Sequence, residues 1–365
     1  MAGAPHGGAE TAFVDMCLAL HQAGQHIEVV TRPHATRVPR LEQAGIGVHQ
    51  LPFGSALDLY TVFRIRRIIA KFQPQLVQTW MSRAARKVSH WHSRMGIPRY
   101  LVISRLGGYY KLKNFTGSDF FIANTADIRR FLTDQGVAGD RVVHIDNFAA
   151  ADEPTNTLTR AQFDTPDDAP LLLALGRLHP SKAFDTLLQA LVEVPDAWLW
   201  IAGEGQQRNA LQRLGEQLGV INRTRFLGWR EDRADLFQQA DVCVFPSRYE
   251  PFGNVIIQAW AQRVPLVTSA ADGPRQYVTD GKDGLVVAVD DVNALSNAIN
   301  HLLVDRKLQK QLVERGYQRY REAFTRAQCV DNYLRFYHQC LEQRATTRCI
   351  HYFLCVKQPP CFRYD

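Results

Sequence analysis

The chain has 365 residues, of which 46% are hydrophobic and 22% are charged. These proportions exclude a disordered or fibrous protein and are typical of a folded enzyme. The length predicts two domains, each large enough to bury its own core. The net charge is +7, and residues 1–150 hold the whole excess, with 18 Lys and Arg against 10 Asp and Glu. This half of the chain is therefore expected to attract anions.

The sequence offers no signs of a secreted or membrane-spanning protein. It contains no apolar run of about 18 residues and no secretion signal, so we expect a cytoplasmic protein. Its seven cysteines are too few for a disulfide scaffold and form no CxxC pair, which predicts reduced thiols. Cys349, Cys355 and Cys361 lie in a tail at 346–365, which we interpret as an atypical or frayed terminus rather than a metal site.

Short apolar runs alternate with segments of helical period, the pattern of parallel sheets covered by helices. In the first half the predicted strands are 27–31, 48–51, 76–79, 100–103, 120–122 and 142–145. A glycine-rich turn at 4–10, which contains Gly7 and Gly8, opens a predicted helix at 10–23. Such a turn normally follows a first strand, and here only residues 1–3 precede it. Either that strand was never part of the chain or the start has been placed too late, and we favour the second explanation.

The region from Leu59 to Ser118 contains twelve basic residues and no acidic one. Within it, 60–72 has an amphipathic pattern with basic flanks. This predicts either a solvated basic face or a surface that docks on an anionic membrane and attracts an anionic lipid-linked molecule. Arg83, Arg105 and Lys111 are candidate contacts to such an anionic acceptor molecule, with a solvated charge as the alternative for each. No recognised nucleic-acid-binding module accompanies the run, so no nucleic-acid partner is expected.

The second half of the chain repeats the α/β pattern after a polar, proline-containing stretch at 149–170. Its predicted strands are 171–175, 198–202, 225–227, 242–245, 266–268 and 285–287. The fold class is thus α/β, with two Rossmann-like domains facing each other across a cleft. We predict an N-terminal domain at 1–150, a linker at 151–170 and a C-terminal domain at 171–325. A helix at 326–345 that can return to the N-terminal domain precedes the tail.

Two cations follow the first strand of the second half. Gly176 and Arg177 come directly after strand 171–175, and Lys182 precedes a helix that begins near Phe184. Ligands in open α/β sheets bind beyond the carboxyl ends of the strands. The planar arginine fork and the lysine point charge can hold a diphosphate from two directions. The alternative is that both are solvated surface charges.

A second candidate anion site follows the apolar strand 242–245. Gly253 lets the backbone approach a ligand, and the free N–H groups of a helix predicted at 254–263 point towards it. Phe252 and Asn254 flank that glycine. Glu250 precedes a proline, which holds it in an extended loop, and its carboxylate is expected to be free to accept sugar hydroxyls. Gln258, two helical turns further on, can serve a ribose or lie on the exposed face of the helix.

These motifs, with 202–205 (AGEG), 226–228 (FLG), 240–253 (ADVCVFPSRYEPFG) and 264–287 in the same order and spacing, resemble the retaining glycosyltransferase family 4 over residues 3–345. The likeness is to its lipopolysaccharide-type members and implies the GT-B fold. It further implies that Arg177 and Lys182 contact the donor diphosphate and that Glu250 contacts the transferred sugar. Gln258 stands where the family has a ribose-binding glutamate. Gly7 and Gly8 resemble the family's loop that approaches the phosphates across the cleft, although a purely structural turn is the alternative.

The resemblance implies an enzyme of class EC 2.4 that moves a sugar from a nucleotide-sugar donor to a glycan or glycolipid acceptor, with retention. It also implies that the domain at 1–150 binds the acceptor and that the domain at 171–325 binds the nucleotide-sugar. Arg177, Lys182 and Glu250 are its expected catalytic residues. No D-x-D motif occurs, so we expect neither a metal nor a cofactor. The family's acceptor-side histidine has no counterpart in the stretch 78–83, which leaves proton removal to the departing phosphate.

A nicotinamide dehydrogenase would need a third glycine after Gly203-Glu204-Gly205, and that glycine is missing. The remaining alternative is a non-catalytic or truncated relative that binds a nucleotide-sugar or an anionic membrane surface without turnover.

Overall fold

A computed structural model describes residues 1–3, 7–55, 57–149, 151–155 and 157–353, with side chains as far as residue 343. Residues 4–6 of the glycine-rich turn lie outside the described residues. So do Cys355, Cys361 and the side chain of Cys349. The four cysteines whose side chains are described, Cys17, Cys243, Cys329 and Cys340, are free and buried.

The N-terminal unit alternates helices and parallel strands. Its elements are α1 (Gly8–Gln22), β1 (Glu28–Thr31), α2 (Arg37–Gln43), β2 (Gly47–Gln50), α3 (Leu59–Phe72), β3 (Leu76–Trp80), α4 (Met81–Ala85), β4 (Leu101–Leu106), β5 (Phe120–Ala123), α5 (Ala126–Asp134) and β6 (Val142–His144). The predicted strands are all present, with ends shifted by no more than three residues. Side-chain caps fix two helix starts, because Asp58 accepts from the Thr61 N–H at α3 and Thr125 accepts from the Ile128 N–H at α5.

The strands of the N-terminal unit form two separate parallel sheets, β1-β2 and β3-β4-β5-β6. Among the described residues, no strand lies between β1 and β3 to join the two sheets. The ammonium of Met1 donates to the Val30 carbonyl oxygen at 2.7 Å, and Met1 and Ala2 are buried. The first residues of the chain therefore lie beside β1, in the region where the expected first strand would pair.

The C-terminal unit contains one six-stranded parallel sheet. Its elements are β7 (Leu171–Leu175), α6 (Phe184–Val192), β8 (Trp198–Ala202), α7 (Arg208–Gln217), β9 (Thr224–Gly228), α8 (Arg233–Gln239), β10 (Val242–Phe245), α9 (Asn254–Ala261), β11 (Leu266–Ser269), α10 (Pro274–Tyr277), β12 (Leu285–Val287), α11 (Val292–Val304), α12 (Arg306–Ala323) and α13 (Arg326–Phe353). The strand order is β9-β8-β7-β10-β11-β12. The order reverses between β7 and β10, and this switch is where such sheets open a crevice for ligands.

Apolar side chains cover both faces of this sheet, as expected for buried parallel strands. All five residues of β7 and all four of β10 are buried. One face packs against α6 and α11 through side chains such as Leu187 and Ile299, and the other packs against α9 through Ile256 and Trp260. These two cores hold the carboxyl ends of β7 and β10 in fixed positions.

Helix α13 packs against the N-terminal unit. Its side chains Tyr333, Phe336 and Cys340 are buried in one cluster with Phe13 of α1 and Trp80 of β3. The helix continues to Phe353, eight residues beyond the predicted end at 345. In the predicted linker, the described residues contain only a short 3-10 turn at Arg160–Phe163.

Candidate active site

A cleft of about 490 Å³ lies between the two units, and residues from both units line it. Most of the predicted site residues meet in this cleft. Those that line it are Gly7, Gly8, Arg105, Gly176, Arg177, Lys182, Glu250, Phe252, Asn254 and Gln258. Arg83 and Lys111 are exposed and lie outside its described lining. Of the three candidate acceptor contacts, only Arg105 therefore faces the cleft.

The loops that follow β7 and β10 are joined by backbone hydrogen bonds. The Arg248 and Tyr249 N–H groups both donate to the Ser181 carbonyl oxygen, at 2.9 and 3.2 Å. His179 stabilises the first loop, because its Nδ1 accepts from the Ser181 N–H at 3.2 Å. The two anion sites predicted separately from the sequence thus form one continuous, hydrogen-bonded surface at the switch point of the sheet.

Arg248 reinforces this junction, although it was not among the predicted site residues. Its guanidinium donates to both carboxylate oxygens of Asp185, at 2.8 and 2.7 Å, and to Asp290 at 2.8 Å. The hydrogen bond with Asp185, followed by that with Asp290, raises the pKa of Arg248, whereas the Arg248 hydrogen bond lowers the pKa of the Asp290 carboxyl. Asp185 lies in α6 and Asp290 lies just before α11. The contact therefore depends on how these helices pack, which the sequence does not show.

Lys182 and Glu250 form an ion pair at the base of the cleft. Their side chains are 19% and 16% exposed, and the ammonium lies 5.1 Å from the centre of the Phe245 ring. The expectation that the Glu250 carboxylate is free was therefore wrong: the loop contacts bring it against the lysine. The pair places a cation and a hydrogen-bond acceptor side by side, facing the space between the two units.

Arg177 is exposed at the cleft wall, directly after β7. It has no hydrogen-bond or ion-pair partner among the described residues. An arginine in this state keeps all five N–H donors available to an oxyanion. Arg177 and Lys182 thus differ, because the first is open to a ligand and the second is already paired.

Helix α9 begins at the cleft, and no described side chain caps its start. Gly253 is its N-cap residue, with φ 102° and ψ 61°, a conformation that favours glycine. A Cβ atom at this position would lie 2.9 Å from Ile256 Cδ1 and 3.3 Å from Phe245 Cε1. Glycine is therefore required both by the backbone angle and by the close packing. The first turn of α9 provides N–H donors for an anion in the cleft.

The cleft lining contains further residues that the sequence analysis did not select. Trp229 and Arg230, which follow β9, line it together with the half-buried Gln258. Their position directly after a strand was a usable signal, because strand ends at this edge of the sheet meet the ligand space. Arg230 is held in place by an ion pair with Asp232.

Side-chain hydrogen bonds connect the two walls of the cleft. Asn147 of the N-terminal unit donates to Asn254 Oδ1 at 2.8 Å, and Asn254 donates to the Gly8 carbonyl oxygen at 3.2 Å. Nearby, the Tyr277 hydroxyl donates to Asp146 at 2.9 Å. Burial is the main cause of a raised pKa at Tyr277, and Asp146 adds to it. Asn254 therefore touches the predicted glycine loop as well as heading α9.

Comparison with known proteins assigns both halves of the chain. Residues 6–153 match Glycosyltransferase Family 4, and residues 156–319 match Glycosyl transferases group 1. A curated relative, the lipopolysaccharide core biosynthesis glycosyltransferase LpsE of Rhizobium meliloti, is 32% identical over 90% of this chain and 95% of its own length. A second, LpsD of the same organism, is 31% identical over 93% of this chain and 97% of its own length.

Solved structures share the architecture. The chain is similar to Anabaena Alr3699/HepE, solved in complex with UDP-glucose, with a TM-score of 0.80 and 20% identity over 93% of this chain and 98% of that one. It is also similar to a glycosyltransferase from Rickettsia africae, with a TM-score of 0.79 and 18% identity over 93% of this chain and 97% of that one. These likenesses concern the arrangement of two Rossmann-like units about a cleft.

Proposed function

The chain belongs to glycosyltransferase family 4 and has the GT-B fold, and on that basis we propose that it transfers a sugar from a nucleotide-sugar donor to a glycan or glycolipid acceptor, with retention. The observation that carries the proposal is the joining of the loops after β7 and β10 at the switch point, with Arg177, Lys182 and the start of α9 facing one cleft. A UDP-sugar is the first donor to test, because a structural neighbour was solved with UDP-glucose.

The donor is proposed to lie on the C-terminal wall. Its diphosphate binds to Arg177, to the Lys182 ammonium and to the backbone N–H groups at the start of α9. Its sugar hydroxyls bind to Glu250, and its ribose binds to Gln258. In this arrangement Lys182 contacts the carboxylate and the phosphate together, so the ion pair positions the cation for the donor.

The proposed chemistry is transfer on one face of the sugar. The bond between the sugar anomeric carbon and the distal phosphate oxygen breaks, and the acceptor hydroxyl oxygen forms its bond to that carbon from the same side. The acceptor proton passes to the departing phosphate, while Arg177 and Lys182 stabilise the negative charge that develops there. Removing one such preorganised donor typically costs about 10²–10³ in rate. We expect neither a metal nor a cofactor, so transfer should persist in excess EDTA.

Thermal-shift screening of nucleotide-sugars tests the donor, because a ligand that binds the folded state raises its unfolding midpoint by mass action. We expect one nucleotide-sugar to raise the midpoint in the wild type and not in the Arg177→Ala variant. Mass spectrometry of acceptor mixtures with that donor then tests transfer. Binding without transfer to any acceptor would favour a non-catalytic relative, and the absence of any shift would contradict the donor site.

The acceptor is proposed to be a lipopolysaccharide core or another cell-envelope glycan, since the two curated relatives are lipopolysaccharide core biosynthesis glycosyltransferases. We further propose that the protein works peripherally on the inner, cytoplasmic face of a membrane. In the part of the chain that the structure describes, no helix could cross a bilayer. Attachment would therefore rest on a surface of the described fold or on residues beyond it.

The start of α3 is the proposed membrane contact. Leu57, Leu59, Tyr60 and Phe63 expose 88%, 75%, 59% and 57% of their surface, and nine of the twelve cations between Leu59 and Ser118 are exposed. Lys87 is buried, donating to the Ser55 and Asp58 carbonyl oxygens, and Arg105 is buried in the cleft. Exposed apolar side chains among basic ones suit an anionic bilayer surface.

Sedimentation with vesicles tests this contact. The Arg64→Gln/Arg67→Gln double variant should bind vesicles of mixed zwitterionic and anionic phospholipid about thirtyfold more weakly than the wild type, because each cation near such a surface contributes about 1 kcal/mol. Val304→Ser is the control, since it removes a side chain that is 78% exposed in the C-terminal unit. Equal binding of all three proteins, or no binding at low salt, would contradict the membrane proposal.

A further inference from the structure

A polar cluster lies at the carboxyl ends of three neighbouring strands, on the N-terminal wall of the cleft. Arg105 stands near the end of β4, Asn124 follows β5 and Asn147 follows β6. These residues are only 1%, 2% and 7% exposed, and all three line the cleft. The cluster thus occupies the edge of the parallel sheet at which ligands bind, opposite the wall assigned to the donor.

Arg105 is a buried cation that no described carboxylate pairs with. Its guanidinium lies 4.5 Å from the Trp80 ring centre, and its Nη2 donates to Asn147 Oδ1. Its Nε is buried with no hydrogen-bond acceptor, and Arg105 forms no ion pair with any carboxylate in the described ranges. Burying an unpaired charge is costly, so this arrangement favours a ligand that brings the missing negative charge.

Asn124 carries a second unsatisfied group in the same place. Its buried Oδ1 has no hydrogen-bond partner among the residues that the structure describes. A Cβ atom on Gly107 would lie 2.5 Å from Arg105 Nη1 and 3.7 Å from Asn124 Nδ2. Because Gly107 has no Cβ atom, the guanidinium can occupy this space. The Arg105 and Asn124 side chains thus approach the same point of the wall.

We propose that Arg105, Asn124 and Asn147 form an oxyanion subsite that takes a phosphate or carboxylate group of a bound substrate. Arg105 supplies the charge, and the Asn124 amide can donate to the oxyanion or accept from a neighbouring hydroxyl. The group belongs either to the acceptor or to the donor diphosphate, because Asn147 contacts Asn254 at the start of α9. The inference rests on the proposed function, in which both substrates meet in this cleft.

Two calorimetric titrations distinguish these sources. In the first, UDP is titrated into the wild type, Arg105→Gln and the control Arg94→Gln, which removes an exposed cation outside the cleft lining. In the second, inorganic phosphate is titrated into protein saturated with UDP. If the subsite binds the donor diphosphate, Arg105→Gln weakens UDP binding by about tenfold or more relative to the wild type. If it serves the acceptor, UDP binding is unchanged and phosphate binding falls by about the same factor. Arg94→Gln is expected to match the wild type in both titrations.

Asn124→Asp keeps the proposal testable if Arg105→Gln does not fold. It preserves the side-chain size and places a carboxylate beside the guanidinium, where it competes with the ligand, so the same loss is expected. A folded Asn124→Asp or Arg105→Gln variant that retains both affinities overturns the subsite. Failure of the wild type to bind UDP or any other nucleotide contradicts the donor site instead, and phosphate titrated into the free protein then tests the subsite alone.

Discussion

The Lys182 ammonium and the Glu250 carboxylate pair across the two loops that follow β7 and β10. We predict that Lys182→Ala and Glu250→Ala each lower the transfer rate by about a hundredfold or more while the protein stays folded, because each removes a group that acts on the developing charge or on the sugar. Steady-state assays with the donor found by screening measure this loss. Near-wild-type turnover in either variant would contradict the assigned roles.

The same pair is expected to stabilise the fold. Each single variant leaves the other charge mostly buried and unpaired, which should lower the free energy of unfolding by about 1–3 kcal/mol. The double variant Lys182→Ala/Glu250→Ala should lose less than the sum of the two single losses, since neither charge then remains. Asp331→Ala is the matched control: its pair with Arg335 is exposed, at 62% and 67%, and should be worth at most about 1 kcal/mol. Denaturant unfolding of the four variants would show whether the buried pair is coupled in this way.

The sequence predicted the strands of both units because each strand is an apolar run bounded by turn residues. It also predicted which residues follow β7 and β10, and parallel topology then brought Arg177 and Glu250 to one edge of a sheet. This much depends on local pattern and on a general rule of α/β sheets. The glycosyltransferase class and the GT-B fold, inferred from the same motifs, are confirmed by the matches to both halves of the chain.

The partners of the site residues were not predictable from the sequence. Arg248 bonds to side chains 63 and 42 positions away along the chain, and Asn147 bonds to Asn254 from the opposite unit. Such contacts depend on how helices and units pack, for which a single sequence has no local signal. The same limit explains why Arg105, Arg83 and Lys111 looked equivalent as basic residues, although only Arg105 is buried in the cleft.

Gly253→Ala is predicted to lower the free energy of unfolding by about 1–3 kcal/mol, because alanine is strained at a φ of 102° and its Cβ would press on Ile256. Donor binding should weaken as well, since the start of α9 has to shift. Gly139→Ala is the control, as Gly139 is exposed and a Cβ atom there meets nothing within 4 Å. Its effect should stay within about 0.5 kcal/mol. Equal stability of the two variants in denaturant titrations would argue against a strained cap.

Gln258→Glu is predicted to strengthen nucleotide-sugar binding about fivefold, because a carboxylate accepts hydrogen bonds from ribose hydroxyls more strongly than an amide. Gln258→Ala should weaken binding by a similar factor, since it removes the acceptor. Gln217→Ala, an exposed position at the end of α7, should leave the dissociation constant unchanged. If both Gln258 variants bind the donor like the wild type, Gln258 is a surface residue and not a ribose contact.

The Asp58 carboxyl at the start of α3 is expected to make the fold less stable at acid pH. Hydrogen bonds from the Thr61 hydroxyl and the Thr61 N–H lower the pKa of its carboxyl to about 2, below its ordinary value of 3.8. The ionised Asp58 carboxylate stabilises the fold fully above about pH 4, and this contribution is lost as the carboxylate is protonated towards pH 2. Asp58→Asn keeps a capping oxygen but does not titrate. Amide exchange in residues 59–65 measures the stability of this region in the wild type and in Asp58→Asn. The difference between the two proteins should shrink steadily between pH 4 and pH 2. A difference that stays constant over that range would show that the Asp58 carboxylate gains nothing from its bonds to Thr61.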